Sequence, residues 1–404
     1  MNHSHSPWKD RWDLDPCIDF LNHGSFGACP RKICEVQQGY RRLIEQNPVR
    51  LLHRELEPWI NRSREKLSNL LGTTPMNLVP VANATSGINT VLRSLAFLPG
   101  QSLLVTNHGY NACRTAVDFV AERSGLNVQV AKIPCPPPHA AAVVDAILQA
   151  VDATTTLAII DHVTSPTALI LPLAEIIPAL QHRGVKVLVD GAHGPGMVPI
   201  EFDRLGADFY TGNCHKWLCA PRGAAFLAIA PEHHRHIRPL QISHGANSTR
   251  TDRSRLHLEF DWTGTHDPSA WMCIADTLEF WEQEFEGGIG EVMQENRTLA
   301  LQARSLVHSR TGLLSTAVSD DWVGSMVSLI LPCRSPADEA LPPLGIESIQ
   351  VALMERAQIE VPVFPWPAPP HRILRFSCQR YNDRHQFIEL ASALEKILPE
   401  FSET

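Results

Sequence analysis

The chain has 404 residues, 44% of them hydrophobic, with 43 acidic against 35 basic side chains and a formal net charge of −8. That is an ordinary globular composition, and without a basic stripe it excludes nucleic acid as a partner. No apolar run approaches the roughly 18 residues a membrane helix requires, and the polar residues 1–16 hold no signal-type apolar core. The chain is too long for one core, which rarely exceeds about 250–300 residues, so one large domain with a smaller companion is expected. The ten scattered cysteines, with no CxxC pair, read as reduced thiols and place the chain in the cytoplasm.

In chain order, residues 62–71 predict an amphipathic helix ending at Gly72, 78–81 a strand, and 87–98 a helix closed by Pro99-Gly100. There follow a strand at 102–106, a helix at 111–124, a strand at 127–133, a helix at 140–151 and a strand at 156–161. The alternation continues through a helix at 173–182 and strands at 185–190, 209–212 and 224–229. Strands alternating with helices at this spacing predict an α/β fold, a mostly parallel sheet of about seven strands with helices on both faces. After residue 285 come a long helix at 291–309, a strand at 326–331 and a helix at 349–357, with proline-rich loops at 336–343 and 362–370. The expected division is a large domain over 61–284, a smaller α+β domain over 285–404, and an N-terminal segment, 1–60, that joins the smaller one.

Ligands of such sheets bind beyond the carboxyl ends of the strands. There the apolar run 185–189 ends in Asp190, His193 follows in a glycine-rich turn, and Lys216 comes 26 residues after Asp190, past the next strand. A lysine can form a Schiff base with an aldehyde cofactor, and a carboxylate can keep a pyridine nitrogen protonated so that the ring accepts electrons. His233, His234 and His236 also cluster, but no carboxylate or thiolate accompanies them, so no metal site is expected.

The segments 21–30, 83–89, 162–167, 264–267 and 375–377, with those around Asp190 and Lys216, resemble in order and spacing the fold-type I pyridoxal 5′-phosphate enzymes. Within these the chain is similar to the class V aminotransferase and cysteine desulfurase superfamily, in the branch of isopenicillin N epimerase and the hercynylcysteine sulfoxide lyases. The resemblance implies a homodimer with shared active sites, a pyridoxal 5′-phosphate cofactor and an α-amino acid substrate. It makes Lys216 the lysine that carries the cofactor, Asp190 the partner of the ring nitrogen, and His193 a neighbour of the ring hydroxyl. Ala84 and Thr85, at a helix start, bind the phosphate together with Asn213, His215 and, from the second subunit, Thr265. Tyr110 stacks on the ring, where desulfurases use histidine and where His108 competes. Arg375 pairs with the substrate carboxylate, Asn22 and His23 reach over the substrate, and Arg50 is a further reader of an acidic group.

The cofactor alone does not choose among elimination, epimerisation and transamination. A desulfurase needs a nucleophilic cysteine on a loop shortly before the carboxylate arginine; residues 358–372 have none, and Cys333 is 42 residues upstream of Arg375. The leading expectation is a C–S lyase acting on a cysteine derivative or sulfoxide, followed by an epimerase and then an aminotransferase.

Overall fold

The computed structural model describes residues 6–333 and 345–401; the proline-rich loop expected at 336–343 lies outside them. Chain order begins with a short strand, Asp19–Phe20 (β1). Seven more follow: Leu78–Val81 (β2), Ser102–Thr106 (β3), Asn127–Ala131 (β4), Thr155–Asp161 (β5), Lys186–Gly191 (β6), Phe209–Asn213 (β7) and Ala225–Ile229 (β8). These seven form one sheet in the order β2-β8-β7-β6-β5-β3-β4, with β8 antiparallel to both its neighbours and the other pairs parallel.

Period-two alternation divides each strand between two cores. On β6, Val187 and Val189 join one apolar cluster and Leu188 the other; on β5, Ala158 and Ile160 oppose Leu157 and Ile159 in the same way. The helices Ala84–Ser94 and Asn111–Ser124 cover one face with Ile88, Val91, Val117 and Val120, while Ala140–Gln149 and Leu173–Gln181 cover the other. Burial on both faces explains why these strands read as continuous apolar runs.

Three long helices did not show in the sequence pattern, Arg384–Ile397 among them. Ser269–Glu284 is buried nearly all round, through Trp271, Met272, Ile274, Leu278 and Trp281, so it has no polar stripe to reveal its period. Arg31–Gln46 packs against it, with Tyr40 donating to Asp276 at 2.8 Å. The helix expected at 62–71 starts earlier, at Leu56, because Pro58 falls in its first turn, where no amide hydrogen is needed.

Met326–Leu331 (β9), Val363–Pro365 (β11) and Arg372–Ser377 (β12) form an antiparallel sheet in the order β11-β12-β9. The remaining strand, Ile359–Glu360 (β10), pairs in parallel with β1, and the Ser377 amide donates to Leu21 O at 2.8 Å. The segment after β1 is thereby pinned to the strand that carries Arg375.

Candidate active site

Lys216 lies just beyond β7, with Nζ 3.2 Å from His193 Nε2. Trp217 Nε1 can only donate, and it donates to His193 Nδ1 at 3.2 Å. The neutral imidazole therefore carries its proton on Nε2 and presents it to an uncharged lysine amine. Electrostatics agree with this assignment. Burial, reinforced by the Arg375 guanidinium, lowers the Lys216 ammonium from 10.5 to about 7, and burial, with Lys216 next, holds His193 far below its ordinary value. His23 was expected over the substrate, and the structure puts it behind the lysine instead. It is fully buried, its Nδ1 is 2.8 Å from Tyr381 OH, and its Nε2 is 2.9 Å from the Lys216 carbonyl. Its place is to fix the backbone that carries Lys216.

Asp190 is buried near the end of β6, accepting from the Ala192 amide at 3.0 Å and from Cys113 Sγ at 2.9 Å. Tyr110 precedes the helix Asn111–Ser124 and is 45% exposed, a free ring at the sheet's carboxyl edge. His108 does not compete for that position: it is buried, with Nδ1 2.7 Å from Thr167 Oγ1 and Nε2 3.2 Å from Ile133 O.

The helix Ala84–Ser94 opens at the same edge. Asn83 caps it by accepting from the Ser86 amide at 2.8 Å, and Asn213 Oδ1 accepts from the Ala84 amide at 2.8 Å. Asn213 thus ties the helix start to the end of β7, with its NH2 group left as the end that donates to a ligand. Thr85 stands in this first turn, where free amides and the helix dipole attract an anion. Close approach is obligatory here: a Cβ on Gly87 would lie 2.1 Å from Thr211 Oγ1, and one on Gly27, at φ +70°, would lie 2.2 Å from the His215 carbonyl. His215 Nδ1 donates to Ala224 O at 3.1 Å, so its Nε2 is a lone pair while the ring is neutral. Burial and the nearby Lys216 and Arg222 charges lower His215 to about 4 despite that bond, so it donates to a phosphate only if the dianion draws a proton onto it. Thr265 is exposed, on the wall of a cleft of about 620 Å³ that Ser86 and Arg222 also line.

Arg375 is 1% exposed, and among the described residues no carboxylate is paired with it. Its Nη1 donates to the Ser165 carbonyl at 2.6 Å and to Ser165 Oγ at 3.2 Å, and Nη2 donates to Ser25 Oγ at 3.1 Å. Nε is buried without a partner, and the guanidinium lies 5.1 Å from the ring centroid of Phe364, on β11, a strand inside the stretch 362–370 that was expected to be loop. Burial alone lowers it to about 10. A buried arginine held by neutral groups is an anion site waiting for its anion. Asn22 reaches it indirectly, accepting from Ser25 Oγ at 2.5 Å while donating to Glu360 at 3.3 Å. Arg50 is exposed and bound to Glu55 at 2.7 Å. Cys333 is exposed beside His371, past the end of the ladder where Leu331 faces Arg372, whereas Arg375 faces Ser328. Of the histidine cluster, His233 is bound to Asp208 at 2.7 Å and His234 lies 3.1 Å from Ile229 O.

The sequence did not single out Ser25 and Ser165, although both stand inside the quoted segments, nor Phe364, Cys113 and Trp217. A half-neutral amine, a strand-end carboxylate, a helix-start anion cradle and an unpaired guanidinium fit an aldehyde-bearing pyridine phosphate and an amino acid.

The model of the family described as Aminotransferase class-V matches residues 27–384. The chain is 33% identical to isopenicillin N epimerase of Streptomyces clavuligerus, over 97% of this chain and 98% of that protein. It is 28% identical to a probable chloroplastic L-cysteine desulfhydrase of Arabidopsis thaliana, over 95% and 84%. It is 21% identical to the hercynylcysteine sulfoxide lyase of Schizosaccharomyces pombe, over 81% and 83%. Among solved structures, the cystine C–S lyase C-DES bound to cysteine persulfide superposes with a TM-score of 0.79 at 22% identity, over 96% of this chain and 98% of its own. The cysteine desulfurase CsdA of Escherichia coli superposes with a TM-score of 0.77 at 21% identity, over 98% of each chain. These last two define the fold.

Proposed function

The chain belongs to the class-V aminotransferase family, and from that premise we propose that it is a C–S lyase, eliminating the sulfur substituent of a cysteine-derived α-amino acid or its sulfoxide. The cofactor is pyridoxal 5′-phosphate. When bound, it supplies the electron sink for the pair left at Cα once the Cα proton is removed. The protein's own groups do the rest. Arg375 binds the substrate carboxylate, two-pronged, and orients Cα. Lys216, near 7, is poised to take and return a proton at neutral pH, and His193 Nε2 steadies its free-base form. Tyr110 covers the ring, and Ala84, Thr85, Asn213 and His215 hold the phosphate.

One observation carries the choice of elimination. Three histidines near the lysine or the ring, His23, His108 and His193, all have their ring nitrogens committed to protein groups. Elimination needs a single base; epimerisation needs a second on the opposite face. The second reading, an amino-acid epimerase, draws on the near full-length similarity to isopenicillin N epimerase and on the free Tyr110 hydroxyl. Persulfide formation is set aside because Cys333 sits past the far end of the strand ladder from the Arg375 register. Thr265 belongs, in this reading, to the cofactor site of a second copy, and the ten free cysteines suit a reducing cytoplasm.

The test is incubation of the holoenzyme with cysteine conjugates, their sulfoxides and β-lactam-precursor peptides, assaying pyruvate, ammonia and chirality together. Pyruvate with ammonia is expected. Inversion without either product favours the epimerase. Tyr110→Phe then separates the two: it leaves a lyase working and stops an epimerase.

A further inference from the structure

Beside Asp190 stands a second acid that neither the sequence motifs nor the proposed chemistry uses. Asp161 ends β5, Asp190 is the last residue but one of β6, and the two strands are parallel and in register at that pair. Strand alternation sends both side chains to one face, the face on which Ile159 and Leu188 join the apolar cluster under helices Ala84–Ser94 and Asn111–Ser124. Asp161 is 5% exposed and Asp190 3%. Asp190 has an amide and a thiol donating to it, whereas among the described residues no other residue's donor bonds the Asp161 carboxyl and no cation is paired with it. Its Oδ2 lies 3.8 Å from where a Cβ on Gly109 would be, beneath the turn that carries Tyr110.

Two adjacent carboxylates in an apolar pocket cannot both ionise cheaply. Burial, then the neighbouring Asp190, pushes Asp161 well above the ordinary carboxylate range. The other titratable groups facing the pair are Cys113, whose thiol the same burial and the Asp190 charge keep protonated, Tyr210, whose phenol burial and then Asp190 likewise keep protonated, and Lys216 beyond them.

We propose that Asp161 is a positioning residue of the ring-nitrogen site, holding a proton beside Asp190 so that the two acids together carry one negative charge. A singly charged pair matches one pyridinium. A doubly charged pair would not close in an apolar pocket without a second cation.

The sign of the linkage defines the test. A carboxyl whose ionisation is raised in the folded state stabilises the fold while protonated, so folding loses about tenfold in equilibrium constant per pH unit between the unfolded ionisation, about 4, and the raised folded one, and nothing further above it. Unfolding midpoints of the full chain are measured from pH 5 to 9, with and without pyridoxal 5′-phosphate, for wild type, Asp161→Asn and Asp161→Ala. Infrared difference spectra of the same proteins record protonated carboxyl groups. The expected result is that Asp161→Asn lies nearest wild type at pH 5, gains on it steadily as pH rises without cofactor, and lacks one protonated-carboxyl band. Asp161→Ala shows the same shallower decline from a lower baseline. An alkaline limb unchanged in Asp161→Asn, an equal loss of stability at every pH, or no missing carboxyl band would each overturn the proposal. The cofactor-free arm keeps this outcome separate from any failure of the proposed lyase reaction.

Discussion

Burial first, and then the charge of the Arg375 guanidinium, which lacks a counter-ion, make a cationic Lys216 unfavourable, so the lysine gives up its proton near 7. The rate at which cofactor-free protein takes up pyridoxal 5′-phosphate is therefore expected to rise about tenfold per pH unit up to near 7 and then level, as stopped-flow absorbance reads directly. An ordinary lysine would still be climbing at pH 9. Arg375→Ala is expected to move this profile to higher pH while leaving the resting absorption band intact. On the proposed reading it also removes the guanidinium that grips the substrate carboxylate, a loss of about 3–5 kcal/mol in kcat/KM, which Arg375→Lys recovers in part because a point charge lacks the fork. Unchanged amino-acid affinity in Arg375→Ala would remove the case for an α-carboxylate substrate.

The helix Ala84–Ser94 illustrates how an element is placed for function by what it lacks. Gly87 lets it descend onto Thr211 of β7, and Asn213, two residues along that strand, holds the Ala84 amide. Gly87→Ala forces the helix off the strand, since Thr211 Oγ1 is itself tied to Phe226 O at 2.8 Å. Calorimetry should show a loss of about 1–3 kcal/mol, the scale of overpacking, and cofactor affinity should fall with it because the anion cradle moves. Asn213→Asp is expected to keep the amide bond and still weaken cofactor retention, because the donating NH2 becomes a carboxylate oxygen facing a phosphate.

Whole-molecule behaviour follows from histidines folded into the core without charge. Burial lowers His23, His108 and His162 to about 4 from an unfolded value of 6.5. The unfolded chain therefore binds these protons first, so stability is full above pH 6.5 and drains as pH falls toward 4. Denaturant midpoints from pH 8 to 4.5 should show this, and a flat profile would mean that these rings are solvated. Assembly is the other property of this scale. Light scattering is expected to find a dimer, and Thr265→Ala to weaken cofactor retention by about 1 kcal/mol or more; a fully active monomer would remove Thr265 from the site.

The sequence by itself carried the alternation of strands and helices, because a parallel sheet covered on both faces writes each strand as an apolar run between turn residues. It carried Asp190, Lys216 and Arg375 too, since each stands at a strand end or on a strand inside a recognisable segment. Helix Ser269–Glu284 escaped because burial on all sides erases its period. His23 and His108 could be placed only by the fold: a histidine between an asparagine and a glycine reads alike whether it meets substrate or a backbone carbonyl, and only packing assigned its two nitrogens. The Asp161 and Asp190 pair is likewise a product of tertiary structure. The two residues lie 29 positions apart in sequence, and strand register, which no local pattern encodes, is what sets their carboxyl groups side by side.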